Sequence, residues 1–166
     1  LHEHIAQLLA KMGRVIRHRG PDGEGEYEAP GGARFRMGMR RLSIIDLGTG
    51  WQPIYNEDRS IAICYNGEIY NYVELRTELE AKGHLFTTHS DTETLVHGYE
   101  EWGIEGLLRR MNGMFAFCIY DSRKREFVIA RDRCGQKPLY YHQSNGRFLF
   151  GSEVKSILQS RHVSAA

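Results

Sequence analysis

The run Met114-Phe115-Ala116-Phe117-Cys118-Ile119-Tyr120, followed after a charged turn by Phe127-Val128-Ile129-Ala130, offers solvent no polar face. Segments this short and this continuously apolar read as strands covered on both sides, so the chain must supply layers above and below them. Helical patterns provide the cover. Ile5, Leu8, Leu9, Met12 and Ile16 recur at steps of three and four, the stripe of one buried helix face. Asn71 to Lys82 carries Leu75 and Leu79, with Asn71 as a plausible N-cap, Glu74 three residues on and Gly83 as the stop. Ser90-Asp91-Thr92-Glu93 is a capping box; Leu95, Tyr99 and Trp102 follow on one face, and Gly103 ends the pattern. Helices early and mid-chain with doubly buried strands afterwards make an α+β chain of two packed sheets with helices outside.

Other strands frame this plan. Arg34 to Ile45 alternates Phe35, Met37 and Met39 with polar or small residues, then runs into Leu42, Ile44 and Ile45; Ser60 to Tyr65 reads as another strand. Leu139-Tyr140-Tyr141 and Phe148-Leu149-Phe150 flank an Asn145-Gly146 pair, a hairpin signal that makes the last third a β-meander before a final helix from Gly151 to Gln159. Arg17-His18-Arg19-Gly20-Pro21-Asp22-Gly23 forces a turn. At 166 residues one domain suffices.

Composition narrows the partners. With 22 basic and 21 acidic residues and no block of like charge, neither nucleic acid nor a membrane surface is expected to bind. No apolar run is long enough to span a bilayer, and the first residues do not resemble a signal peptide, so a soluble, cytoplasmic protein is expected. Cys64, Cys118 and Cys134 have no spacing for a disulfide framework or a zinc site; the first two sit in apolar runs as structural thiols. The scattered histidines match no metal-ligand spacing, and no metal is assigned.

Polar residues at the end of one strand suggest chemistry. In Cys64-Tyr65-Asn66-Gly67-Glu68-Ile69-Tyr70-Asn71-Tyr72 an apolar strand ends on Asn-Gly-Glu before a helix begins. Asn66 through its side chain and Gly67 through its backbone N–H could donate to a developing oxyanion, with Glu68 beside them for an ammonium; an ordinary Asn-Gly hairpin turn is the other reading. Arg41, at a strand end in Arg40-Arg41-Leu42-Ser43-Ile44-Ile45-Asp46, could fork onto a carboxylate or form a structural salt bridge. Asp91 could bind a cation or only complement a helix dipole. Together these residues could hold a free α-amino acid whose side-chain carbonyl is under attack.

The ordered motifs RHRGPDG, RRLSIIDL, YNGEIYNYVELR, SDTETL, MNGMFAF and ARDRCGQKPLYY resemble the glutaminase domain of glutamine-hydrolysing asparagine synthetases over nearly the whole chain. The resemblance implies a four-layer αββα sandwich of the N-terminal-nucleophile hydrolase type. It implies that Arg41, with the backbone of Leu42, Ser43, Ile44 and Ile45, binds the glutamine α-carboxylate. Glu68 and Asp91 would bind the α-ammonium, and Asn66 and Gly67 would form the oxyanion hole. RHRGPDG and the Arg131 to Tyr141 segment are expected to shape loops beside the pocket.

That family uses an N-terminal cysteine as nucleophile, followed by Gly-Ile in a first buried strand. The sequence begins at Leu1, and the resemblance implies that this strand and cysteine precede it. Without them the chain is expected to be inactive. The ammonia acceptor implied is a C-terminal synthetase domain that adenylates aspartate with ATP and Mg²⁺ and is absent from the 166 residues. This domain itself would need no cofactor. L-Glutamine and the synthetase domain are the implied partners, and a homodimer is compatible. A non-catalytic glutamine-binding or interaction module, or an amidotransferase with another ammonia acceptor, are the alternatives.

Overall fold

A computed structural model describes residues 2–41 and 51–163. Helix α1 (His2–Val15) leads through a 3₁₀ turn (Arg17–Arg19) into an antiparallel pair, β1 (Gly23–Glu28) and β2 (Arg36–Arg41). Next come β3 (Ile54–Tyr55), β4 (Ile61–Ile69), α2 (Tyr72–Ala81) and α3 (Asp91–Arg110). The remainder is β5 (Gly113–Asp121), β6 (Glu126–Arg131), β7 (Tyr140–Ser144), β8 (Arg147–Gly151) and a single turn of helix, α4 (Val154–Ile157). Among the described residues, β3-β4-β5-β6 form one antiparallel sheet and β7-β8 a separate hairpin.

The central sheet separates two hydrophobic clusters because its side chains alternate between faces. Ile61, Ile63, Tyr65 and Ile69 of β4, with Phe115, Phe117 and Ile119 of β5, pack against Leu75 of α2 and Leu95, Val96, Tyr99 and Leu107 of α3. Ala62, Cys64, Cys118 and Tyr120 face the other way, onto Tyr27 of β1 and Met37 of β2. β8 adds Phe150 to this second cluster. Helix α1 closes the outside of β2, where Gly38 leaves room for Leu9 and Arg40 Nε donates to the Gly13 carbonyl at 3.0 Å. Ser156 of α4 reaches the Met12 carbonyl at 3.4 Å. The layers run helix, sheet, sheet, helix.

This order explains why Phe115 to Asp121 is buried without a break. β6 departs from the expectation of two doubly buried strands: it lies at an edge of the described sheet and is only partly buried, with Phe127 stacked on Phe35 at 5.1 Å. The last third is likewise not one continuous meander, since its two hairpins belong to different sheets. The Asn145-Gly146 turn forms as expected, with φ of 48° and 70°. Of the strand anticipated over Arg34 to Ile45, residues 36–41 form β2 and 42–45 lie outside the described residues.

Gly103, at φ 65°, ends a first helical stretch of α3, as its place in the sequence implied, and a second stretch that the sequence pattern did not announce runs on to Arg110. In this second stretch Leu107, fully buried, lies over the notch left by Gly98. The capping box is half formed: Ser90 Oγ accepts from the Thr92 N–H at 3.2 Å. Glu93 turns instead to the N–H and hydroxyl groups of Thr87 and Thr88, at 2.7–2.9 Å. Asn71 makes no side-chain cap for α2. It ties β5 to α3, donating to the Arg110 carbonyl at 2.9 Å and accepting from the Asn112 N–H at 2.8 Å.

Candidate active site

Strand β4 does not end at Asn66. Asn66, Gly67, Glu68 and Ile69 continue the ladder opposite Ala116, Phe115, Met114 and Gly113, so the segment is neither a hairpin turn nor a turn that closes the strand. Gly67 is required by close approach: a Cβ there would collide with the Met114 carbonyl and lie 2.9 Å from the Tyr65 hydroxyl. Gly113, opposite Ile69, is confined in the same way by the Glu68 carbonyl. Two glycines with no space for side chains let the two strands approach closely here.

Among the described residues, one N–H of this segment is left without an acceptor. Phe115 directs its backbone groups to Asp132, whose N–H donates to the Phe115 carbonyl at 2.8 Å and whose Oδ2 accepts from the Phe115 N–H at 3.2 Å. Gly67, opposite Phe115, is therefore in a non-hydrogen-bonded pair, and its N–H points to the far edge of β4. Tyr65 and Ile69 share that edge. β3 is too short to cover them, and other groups do so. The Gln52 side chain accepts from the Tyr65 N–H at 2.6 Å and donates to its carbonyl at 3.0 Å. The Ile69 N–H donates to Asp91 Oδ2 at 2.9 Å. No described residue accepts from Gly67 N–H between them.

Asp91 opens α3 beside this gap. Its Oδ2 also accepts from the Tyr65 hydroxyl at 2.9 Å, while Oδ1 takes no hydrogen bond from a described residue. Burial pushes the Tyr65 phenol far above its ordinary range, and the negative charge of Asp91 adds to the shift, so Tyr65 remains a neutral donor. Asn66 and Glu68 alternate onto the opposite face of the sheet from Tyr65 and Gly67. Asn66 is half-buried and Glu68 exposed, and no described residue pairs with either side chain. The segment thus brings together Gly67 N–H and Asp91 at the strand edge, with Asn66 and Glu68 one residue away on the other face.

Arg41 closes β2 opposite Gly23, and its side chain lies outside the described residues, as do Leu42, Ser43, Ile44 and Ile45. Tyr65 and Gln52, which hold Asp91 and cover the strand edge, were not singled out by sequence reasoning. The available signal for Tyr65 was its place two residues before Gly67, on the same face of the strand.

A model of the glutamine amidotransferase domain matches residues 1–166. The chain belongs to this family. Curated relatives include asparagine synthetase [glutamine-hydrolyzing] 1 of Bacillus subtilis, 44% identical over 94% of this chain and 24% of the relative. Asparagine synthetase [glutamine-hydrolyzing] 2 of Oryza sativa subsp. japonica is 41% identical over 90% of this chain and 24% of the relative. The chain therefore spans about a quarter of the length of these relatives. Among solved structures, glutamine phosphoribosylpyrophosphate amidotransferase from B. subtilis, complexed with ADP and GMP, superposes with a TM-score of 0.60 at 27% identity, covering 74% of this chain and 28% of the other. The allosteric regulatory enzyme of purine biosynthesis superposes at 0.62 and 26% identity, over 75% and 29%.

Across β5 from that edge, the segment after β6 is tied into a loop. Arg131 donates from Nε to the Lys137 carbonyl at 2.8 Å and from Nη2 to the Gly135 carbonyl at 2.6 Å, closing the loop after β6. Asp132 accepts from Gln136 and Lys137 N–H groups at 2.9 and 3.0 Å. Burial raises the pKa of its carboxyl, but the N–H donors of Lys137, Gln136, Phe115 and Cys134 outweigh that and hold it below the ordinary value. This motif shapes a loop, as its sequence suggested. Cys64 and Cys118 are buried, Cys134 exposed. Burial pushes the Cys64 thiol up to about 12 and Cys118 well above its ordinary value, so neither supplies a thiolate near neutral pH. No helix among the described residues is long and apolar enough to cross a membrane.

Proposed function

We propose that this amidotransferase domain hydrolyses L-glutamine to glutamate and ammonia at the open edge of β4, and that the ammonia serves an ATP-dependent synthetase domain converting aspartate to asparagine. One observation carries the reading: among the described residues, Gly67 N–H has no acceptor between two covered neighbours, next to a carboxylate with one oxygen that takes no hydrogen bond from them. An edge amide of that kind, with the Asn66 amide on the adjoining face, can donate to the oxygen that turns anionic when the glutamine side-chain amide is attacked. Asp91 Oδ1 and Glu68 take the α-ammonium. Arg41 and the backbone of Leu42, Ser43, Ile44 and Ile45 take the α-carboxylate.

The attacking group in this reading is the thiol of an N-terminal cysteine, whose own α-amine accepts its proton. Attack forms a carbon–sulfur bond and an oxyanion. Collapse breaks the carbon–nitrogen bond, and the amine returns the proton to the leaving nitrogen as ammonia departs. Water then cleaves the thioester, releasing glutamate and restoring the thiol. ATP and Mg²⁺ act in the synthetase domain, and this domain needs neither. Reduced, buried Cys64 and Cys118 accord with a cytoplasmic site of action.

Ammonia release from L-glutamine by the protein made from its natural gene tests the reading. Turnover is expected without ATP, and asparagine is expected to accumulate when aspartate and MgATP are added. Glutamine binding without ammonia release contradicts hydrolysis and favours a binding module. Ammonia without asparagine points to another acceptor.

A further inference from the structure

At the other end of β4, Glu57, His84, His97 and Glu100 each turn a potential ligand atom inward, and these atoms all lie within 4.8 Å of one another. Glu57 comes from the turn between β3 and β4, and His84 from the α2–α3 connection. His97 and Glu100 stand three residues apart on one face of α3. His84 Nδ1 is 3.4 Å from Glu57 Oε1, and His97 Nδ1 is 3.4 Å from Glu57 Oε2. Ligands about 2.1 Å from a tetrahedral metal lie about 3.4 Å from one another, so this spacing suits a shared ion.

His97 carries the second, independent signal. Its side chain is 1% exposed, and neither ring nitrogen has a hydrogen-bond partner among the described residues. A buried imidazole normally satisfies at least one nitrogen. Both histidines also share one orientation, with Nδ1 toward Glu57 and Nε2 toward an outer carboxylate. That carboxylate is Glu101 for His84, at 3.4 Å, and Glu93 for His97, at 3.7 Å. Metal, imidazole and outer carboxylate in this order fix the ring tautomer in many metalloproteins. Charge points the same way: Glu57, Asp58, Glu93, Glu100 and Glu101 gather here. Among the described residues, Lys82 and Arg123 are the lysine and arginine paired with them.

We propose that Glu57, His84, His97 and Glu100 form a binding site for a divalent transition cation of the Zn²⁺ class, which joins the β3–β4 turn, the α2–α3 connection and α3. Two imidazole nitrogens and two carboxylate oxygens suit zinc, and four protein ligands close the coordination sphere. The ion would therefore be structural, and the site is independent of the glutamine chemistry at the opposite end of the strand.

Chelator-stripped full-length chain carrying Cys134→Ser, which removes the exposed thiol as a competing ligand, is titrated with Zn²⁺ alone by calorimetry and with Co²⁺ by visible absorption. Expected are one equivalent bound per chain, a higher unfolding temperature with Zn²⁺, and a Co²⁺ spectrum of a four-coordinate site without thiolate bands. His84→Ala should weaken Zn²⁺ binding at least about 100-fold, the upper end of the loss caused by removing an outer partner. Should His84→Ala unfold, Glu57→Gln keeps an oxygen for the Leu85 N–H, which Glu57 Oε1 accepts at 3.0 Å, and should weaken binding to a similar extent. Absence of stoichiometric binding overturns the proposal. So does undiminished binding by whichever of the two variants is folded.

Discussion

Two asparagines ten residues apart in sequence sit at opposite ends of the same stretch of chain, and their surroundings differ in kind. Asn56, buried before β4, is used completely. Its Nδ2 donates to Asp58, Ser60 and Glu100 at 3.0–3.1 Å, and its Oδ1 accepts from the Ile61 N–H at 2.9 Å. Asn66, half-buried near the end of β4, pairs with no described residue. A side chain whose donors and acceptors are satisfied internally belongs to the fold. One with no partner among the described residues, beside a strand edge that they leave uncovered, is available to a ligand.

Mutations can break this contrast, beginning with the largest effect. Asn66→Ala should lower kcat for glutamine hydrolysis about a hundred- to a thousandfold, roughly 3 kcal/mol of transition-state stabilisation. Its thermal unfolding should change little. Equal losses in stability and rate would assign Asn66 to the fold. Asn56→Ala should do the reverse, removing about 2 kcal/mol of stability by orphaning the Ile61 N–H, with kcat per folded molecule unchanged; chemical denaturation and active-site titration would measure both. Tyr65→Phe removes the hydroxyl that holds Asp91 Oδ2 and should cost about 1.5 kcal/mol, read as a roughly tenfold higher KM for glutamine with a modest loss of stability. The smallest effect concerns pH. Because the folded-state pKa of Asp132 lies below its unfolded value, its contribution is present above the ordinary aspartate pKa and is lost as pH falls through the lower folded value. Acid unfolding of Asp132→Asn should therefore show a shallower pH dependence than the parent.

Local signals made much of the fold legible. Met114 to Tyr120 announced a doubly covered strand, Ile5 to Ile16 one helix face, and Asn145-Gly146 a hairpin. Failures occurred where distant residues decide. Asn66-Gly67 carries the composition of a turn, yet pairing with Ala116 and Phe115, and the glycine at 113, holds it in a strand. Gly103 stops one helical stretch as it signalled, but nothing nearby shows that a second will follow and that Leu107 will fill the space beside Gly98. The resemblance grouped Asn66, Gly67, Glu68 and Asp91 with Arg41 and residues 42–45, but that Gln52 covers Tyr65 while no described residue accepts from Gly67 N–H follows from the folded chain and the shortness of β3. Glu57, His84, His97 and Glu100 follow no short spacing, so only the folded chain assembles them.

Hydrogen exchange at three backbone amides, Tyr65, Gly67 and Ile69, tests the central claim most directly. In ligand-free protein Tyr65 and Ile69 should be protected by Gln52 and Asp91, with Gly67 exchanging much faster between them, and saturating L-glutamine should slow Gly67 selectively. Gly67 protection equal to its neighbours without ligand, or exchange unaffected by bound glutamine, would contradict the assignment of this strand edge as the glutamine site.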